Sequence, residues 1–429
     1  MWDGSGYYGN TKVQLDTTGF AGDILSWSAR VAFSLIDSPG ASFFPKWTSI
    51  MDESLAGGGV LNLATQSYTI GQLGLFGLFL GTPDLYLQAG LMRSAFGPSF
   101  ENSVVIGPQA PAAGHLSFSY SNDCFSFSTL LLDLVDKVDV TRLPHGKYLL
   151  LQTASLFPAD WVSLGFVQTV VTGELLHLYY ILPFPLQNLS YAAQMSGDFD
   201  TSLIGLIGII RLPFGLSLDL TFYVDDWDSF SALSQSKGML IDFNSAQDKF
   251  ALDAVLSYCP PIDFLKRIRL EYQMVTPYTY THASFYAVNW IMYTNAGANL
   301  GPILQPNSDR LELNVQVLPA SWLDVNLSGR MIRHANASEG ISSGDGTIYD
   351  DGFIGGAATF VGVPSRFLTR KVIETTFQAR AEAVMDLRFN WVTLMGRLGY
   401  TFEYVANRDL VAGAETMKHY LNVSAGYRY

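Results

Sequence analysis

Apolar and polar residues alternate one by one along most of this chain, the period at which successive side chains of a β-strand face opposite sides of a sheet. Near the carboxyl end Leu421, Val423, Ala425, Tyr427 and Tyr429 share one parity, while Lys418, Tyr420, Asn422, Ser424, Gly426 and Arg428 share the other. The same period runs through Leu216, Leu218, Leu220, Phe222 and Val224 against Ser217, Asp219, Thr221 and Tyr223. It returns from Leu25 to Leu35, Leu311 to Val317, Leu323 to Met331 and Val392 to Tyr404. A membrane helix would need about 18 to 20 consecutive apolar residues. The best candidate, Leu203 to Ile210, stops at Arg211.

The connections between these segments alternate in length. Short turns are predicted at Gly22 and Asp23, Thr82 and Pro83, Asn122 and Asp123, Pro158 to Asp160, Pro213 and Phe214, Pro260 and Pro261, Pro319 to Ser321, and Arg388 and Phe389, each built from turn or strand-breaking residues. Between them lie Gly-, Ser-, Asp- and Asn-rich stretches at about residues 37 to 57, 96 to 114, 136 to 146, 173 to 200, 226 to 247, 276 to 307, 334 to 370 and 405 to 417. Trp161, Trp322 and Trp391 each begin a strand just after a short turn, as an aromatic girdle at one water–lipid boundary would.

This pattern predicts an all-β protein, a transmembrane antiparallel up-and-down β-barrel of about 18 strands in the bacterial outer membrane, with long extracellular loops and short periplasmic turns. Lipid offers backbone groups no hydrogen-bond partner, so every ladder must close on another strand while the lumen stays hydrated. One domain over residues 1–429 is expected. The direct count is seventeen strands, and a strand ahead of residues 11 to 20 is expected in Trp2 to Tyr8 or upstream of Met1. Residues 1 to 30 contain no export signal, so a processed, trimmed or misassigned start is expected. The amphipathic last strand ending at Tyr429 resembles the signal by which the outer-membrane assembly machinery selects its clients.

Composition agrees with a membrane setting. Only 15% of the 429 residues are charged, against 48% hydrophobic and roughly 25% charged in ordinary soluble domains. The formal charge of −13 argues against a nucleic-acid partner. Outer-membrane lipid is the expected partner. Cys124 and Cys259 sit beside predicted turns, where a disulfide is conceivable and simple packing is the expectation. Residues 175 to 195 approach a helical period, as a short helix folding into or over a pore would. His115, His145, His177, His282, His334 and His419 show no metal-ligand spacing. Asp345, Asp350 and Asp351 lack an EF-hand order. No enzyme, cofactor or metal site is expected.

Two segments carry a family resemblance. Gly90 to Ser99 (GLMRSAFGPS), followed by Asn102 to Ile106 (NSVVI) and Pro111, and Pro277 to His282 (PYTYTH), followed by Tyr293 to Gly301 (YTNAGANLG) and Pro306 to Asp309 (PNSD), resemble the capsule-assembly Wzi family. The resemblance covers about residues 84 to 335. It implies an eighteen-stranded outer-membrane barrel acting as a surface lectin for long-chain polysaccharide. Family members carry a periplasmic helical segment ahead of the barrel, and none precedes Lys12 here.

Sugars are held by aromatic faces and planar polar groups. Candidate glycan-binding residues are Tyr278, Tyr280, His282, Tyr286, Trp290, Tyr293, Asn295 and Asn299, with Asn289 beside them. Charges expected in the lumen are Arg30, Asp219, Arg269, Glu271, Glu312, Asp324, Arg330, Glu374, Arg380, Glu382, Arg397 and Glu403. Opposed across an open lumen they would set a selective constriction; paired along the wall they would stiffen an occluded one. The two functional readings are therefore a polysaccharide-binding surface barrel whose pore is blocked by loops, and a porin or diffusion channel for small solutes.

Overall fold

The computed structural model describes residues 10–37, 46–47, 60–63, 66–97, 102–135, 146–173, 201–227, 248–281, 292–336, 348, 353–354, 357–358 and 367–428. The strands are β1 (Asn10–Ala21), β2 (Leu25–Asp37), β3 (Val60–Leu63), β4 (Gln66–Thr82), β5 (Leu85–Met92), β6 (Ala113–Ser121), β7 (Phe125–Leu134), β8 (Lys147–Ala159), β9 (Val162–Gly173), β10 (Thr201–Leu212) and β11 (Leu216–Trp227). They continue as β12 (Asp248–Tyr258), β13 (Leu265–Val275), β14 (Thr294–Asn295), β15 (Ala298–Asn299), β16 (Ser308–Ala320), β17 (Leu323–His334), β18 (Phe353–Ile354), β19 (Ala357–Ala358), β20 (Glu374–Arg388), β21 (Thr393–Ala406) and β22 (Glu415–Arg428).

Eighteen of these form one antiparallel sheet, and β14–β15 and β18–β19 are small hairpins in the long connections. Within the sheet each spanning strand pairs with the next in up-and-down order, while β3 pairs only with the start of β4. The sheet's total is eighteen, but the eighteenth is the short β3, which with β4 divides residues 58 to 80 where one strand was counted, and not the strand expected ahead of residue 11. The expected strand at Trp2 to Tyr8 and the possible helix at residues 175 to 195 lie outside the described residues. Among the described residues no ladder joins β1 to β22. The sheet nevertheless curls on itself: Lys46, in the connection after β2, hydrogen-bonds Glu403 of β21 through its backbone N–H at 2.6 Å, and the Trp47 ring meets His334 of β17 at 5.4 Å.

Burial runs opposite to that of a soluble protein. Leu206, Leu164, Val423, Met417 and Leu15 are all more than half exposed on the outward parity, whereas Gln273, Glu271, Arg310 and Glu374 are buried on the inward one. A protein surrounded by water would forgo about 1.5–3 kcal/mol for each large apolar side chain left outside. Hydrocarbon around the sheet removes that cost. At the short-turn end Phe20, Trp161, Phe214, Phe264, Phe389 and Trp391 are all strongly exposed, completing the aromatic girdle read from the tryptophans.

The short turns fall where the breaking residues predicted them, with one refinement. Pro158 and Pro319 lie inside β8 and β16, at register shifts near the ladder ends, where a residue with no N–H is tolerated. Cys124 and Cys259 are both free and exposed. The packing expectation is corrected, because both residues fall in or beside turns outside the apolar cluster.

Leu206 lies in the middle of β10 and is 62% exposed. Leu206→Arg places a cation at mid-membrane, at a cost of about 2–4 kcal/mol, and denaturant titration of the barrel refolded in liposomes should show that loss. A matched arginine at Ser119, on the inward parity of β6, is expected to cost far less.

Candidate functional site

The described structure concentrates its unusual features inside the curled sheet, at the long-loop end. The connection from β5 to β6 does not stay on the rim. Its segment Asn102 to Ile106 turns inward, and Val104, Val105 and Ile106 have no exposed surface. They pack in one apolar cluster with Leu132, Leu149, Val171 and Leu203 from the inner wall and with Tyr280, Tyr293 and Leu300 from the connection after β13. A buried loop must satisfy its own backbone groups, and this one does so with borrowed donors. Tyr280 Oη donates to the Val104 carbonyl at 2.6 Å and Tyr293 Oη to the Val105 carbonyl at 2.8 Å.

Further bonds lock the two connections together. Phe96 and Ile106 pair as an antiparallel bridge, and the Gly107 N–H donates to the Leu300 carbonyl at 2.8 Å. Gln109 Nε2 donates to the Gly301 carbonyl, and Gln273 Nε2, from the inner face of β13, donates to that of Asn102. Asn295 accepts from the Val135 N–H at 2.9 Å and donates to the Pro111 carbonyl at 3.1 Å. Asn299 donates to the Pro302 carbonyl and accepts from Gly301 N–H, both at 3.0 Å. Gly107 permits the approach, because a Cβ there would lie 2.4 Å from the Gly301 carbonyl oxygen.

The candidate glycan residues therefore divide. Tyr278, Tyr280, Tyr293 and Asn295 are at most 1% exposed, and the rings of Tyr280 and Tyr293 stack on each other at 5.4 Å rather than facing solvent. Burial pushes both phenols well above their ordinary range, so they remain hydrogen-bond donors to the loop at any physiological pH. Asn299 is partly buried and bonded within its own turn. His282, Tyr286, Asn289 and Trp290 lie outside the described residues.

All twelve expected lumen charges sit on strands at inward positions, and most are brought together in pairs. Arg30 meets Asp16 at 2.7 Å, Arg269 meets Glu271 at 2.6 Å, and Glu382 meets both Arg380 at 2.8 Å and Arg397 at 2.7 Å. Asp324 accepts from Gln316 and Asn326 at 2.6 and 3.2 Å. Arg330 donates to Gln378. Asp219 shares a cross-strand row with Glu271 and Glu312, through Val255. Pairing along the wall, not opposition across the lumen, is the arrangement seen.

Sequence inspection missed Arg310 and Lys46. Arg310 is fully buried and lies against Glu271 and, at 3.7 Å, Glu312. Its parity marked it as inward, but its position near the end of a long connection hid it. Lys46 is held by Glu374 and Asp409 through its ammonium, the latter at 3.1 Å, while Gln378 Nε2 donates to its carbonyl at 2.6 Å. No local pattern marks such a contact, since its partners lie more than 320 residues away. Burial acts to raise the Asp409 carboxyl, and Lys46 and Arg408 outweigh it, so Asp409 titrates below the usual carboxylate range. Asp253, on the inner face of β12, was also missed; it is buried, and its Oδ1 has no hydrogen-bond partner among the described residues.

Among the described residues no helix is long and apolar enough to cross a membrane, and no cluster of ligating side chains could hold a metal. No family model and no curated protein matches this chain. Among solved structures, Wzi of Escherichia coli, described as an outer-membrane protein involved in group 1 capsule assembly and a carbohydrate-binding β-barrel, aligns with a TM-score of 0.51 at 12% identity, covering 98% of this chain and 82% of that one. OpdK of Pseudomonas aeruginosa, solved with vanillate, gives 0.49 at 9% identity over 98% and 93% of the chains. OccK10 of the same organism gives 0.47 at 10% over 99% and 97%. The likeness to Wzi shows the fold, that of an outer-membrane β-barrel.

Tyr280→Phe and Tyr293→Phe each strand a buried carbonyl, at a cost of about 1–3 kcal/mol. Hydrogen exchange at residues 102 to 107 should quicken accordingly while the strand ladders keep their protection. The Asp409–Lys46 contact makes a second prediction. A carboxyl with a lowered folded pKa contributes stability that is present above its unfolded value and is lost as pH falls through the lowered one. Acid titration of Lys46→Gln should therefore show a smaller loss of stability below about pH 4 than the parent shows.

Proposed function

We propose that this chain is an occluded outer-membrane barrel that binds long-chain surface polysaccharide at its long-loop end. The observation that carries this reading is the inward-folded segment Asn102 to Ile106, with Val104, Val105 and Ile106 fully buried among inner-wall side chains. A diffusion channel has little use for an apolar cluster in its mouth. A surface-binding protein uses such a cluster to hold a stable platform for its outer loops. The likeness in fold to a carbohydrate-binding barrel supports the same reading.

On this reading the buried tyrosines form the frame of the site. Tyr278, Tyr280, Tyr293 and Asn295 fix the base of the connection, and sugar contact falls to His282, Tyr286 and Trp290 within it. A channel for small solutes is the second reading. It is favoured by the accessibility of Arg30 and Arg397, whose side chains are 42% and 52% exposed in the lumen.

Binding of purified capsular polysaccharides to the refolded barrel, immobilised in detergent, tests the proposal. Tyr286→Ala and Trp290→Ala are each expected to weaken binding by more than about fivefold, the loss of a contact worth over 1 kcal/mol, with the folded barrel intact. A parent that retains none of a broad panel of capsular polysaccharides contradicts it.

A further inference from the structure

The inner wall is chemically two-sided. On β11 to β22 it carries Asp219, Arg269, Glu271, Arg310, Glu312, Arg330, Glu374 and Glu403 at inward positions. On β4 to β7, among the described residues, the inward positions carry no charged side chain. Strand pairing sets Phe79, Gln88 and Ser117 in one cross-strand row. Tyr86, Ser119 and Ser128 follow in the next row toward the short-turn end.

These six side chains are half-buried, neither packed away like the tyrosines of the plugged mouth nor fully exposed. The rings of Phe79 and Tyr86 stack at 4.8 Å with 29° between their planes. Ser119 and Ser128 hydroxyls lie 2.8 Å apart. Ser117 is bonded to His115 Nε2 at 2.9 Å, and Ser94 to His115 Nδ1 at 2.9 Å. Toward the short-turn end the outward parity of β6 and β7 is meanwhile aromatic or aliphatic, with Leu116, Phe118, Tyr120, Phe125 and Phe127. There the serines are the lumen half of the alternation.

We infer that this neutral wall is a second binding site, for a short uncharged oligosaccharide entering from the short-turn end. Each hydroxyl of a sugar both donates and accepts, and so do the serines, Gln88 and the phenol of Tyr86. The apolar C–H face of a sugar ring needs an aromatic platform, and the Phe79–Tyr86 pair is one. An anionic sugar finds no counter-charge on β4 to β7. The nearest inward cation on the β2 side, Arg30, is already paired with Asp16. The buried segment Asn102 to Ile106 packs in the cluster that includes Leu130 and Leu132, and Leu130 faces Ser117 across the β6–β7 pair, so the wall lies on the short-turn side of the plug, and it holds whether or not a surface polymer binds at the long-loop end.

The test is saturation-transfer NMR on the full chain refolded in lauryldimethylamine oxide micelles, with maltotriose, mannotriose and cellotriose as neutral probes and trigalacturonate as the charged contrast. At least one neutral trisaccharide is expected to receive saturation on its ring protons, with trigalacturonate at least fivefold weaker. Phe79→Ala and Tyr86→Ala should each cut the signal at least fivefold, and Tyr86→Phe, which keeps the ring, should cut it less. Heat-modifiable migration on gels confirms that each variant is folded. Trp290→Ala, which weakens polymer binding on the previous reading, should leave the trisaccharide signal unchanged. No transfer to any neutral probe, equal transfer to trigalacturonate, or an unchanged signal in both alanine variants would overturn the inference.

Discussion

Everything in this structure depends on one constraint: a backbone in hydrocarbon must find its hydrogen-bond partners within the protein. An antiparallel sheet meets that demand strand by strand, and the two-residue period then assigns every side chain to lipid or to lumen. Leucine, valine and aromatic residues are stable outside, where a soluble protein would place charge. Polar residues follow inside by the same parity. The inversion of burial, with Leu206 exposed and Glu271 hidden, is the direct record of that sorting.

An inward polar wall creates a second problem, because charges removed from water must be paired. The structure solves it in two ways. On the later strands Arg269, Glu271, Arg310 and Glu312 neutralise one another within a few ångströms. On β4 to β7 the inner wall avoids charge, and toward the long-loop end the wall from β7 to β10 is apolar enough to receive a folded loop. Leu132, Leu149 and Leu203 break the polar habit of the inner face just where Val104 to Ile106 pack against it. Lys46 performs a related task between the two ends of the sheet, tying the first long connection to strands near the carboxyl end.

The strands, their parity and the alternation of short and long connections were legible in the sequence, because each rests on neighbours within a dozen residues. The lumen charges were legible for the same reason: Arg330, Glu382 and Arg397 sit on the polar parity of clear strands. The inward fold of this loop was not read from the sequence, where residues 96 to 114 stand as a long external connection. The apolar triplet Val104, Val105 and Ile106 inside it is a signal of burial, but it does not say where the loop is buried. The tyrosines show the limit most clearly. A Tyr- and Asn-rich external connection suits a sugar and an internal brace equally well, and only the distances from Tyr280 and Tyr293 to Val104 and Val105 assign these rings to the brace. Lys46 and Arg310 take their roles from partners distant in the chain or across strands, which no local period encodes.

The central claim is that the Asn102 to Ile106 segment closes the lumen at the long-loop end. Single-channel recording in a planar bilayer addresses it most directly, comparing the parent with a variant in which residues 102 to 107 are replaced by a short Gly-Ser linker. The account predicts a parent that inserts folded but shows no steady openings, and a variant with large, stable ones. Steady openings of equal size in both would contradict it and would make the charged wall a selectivity filter.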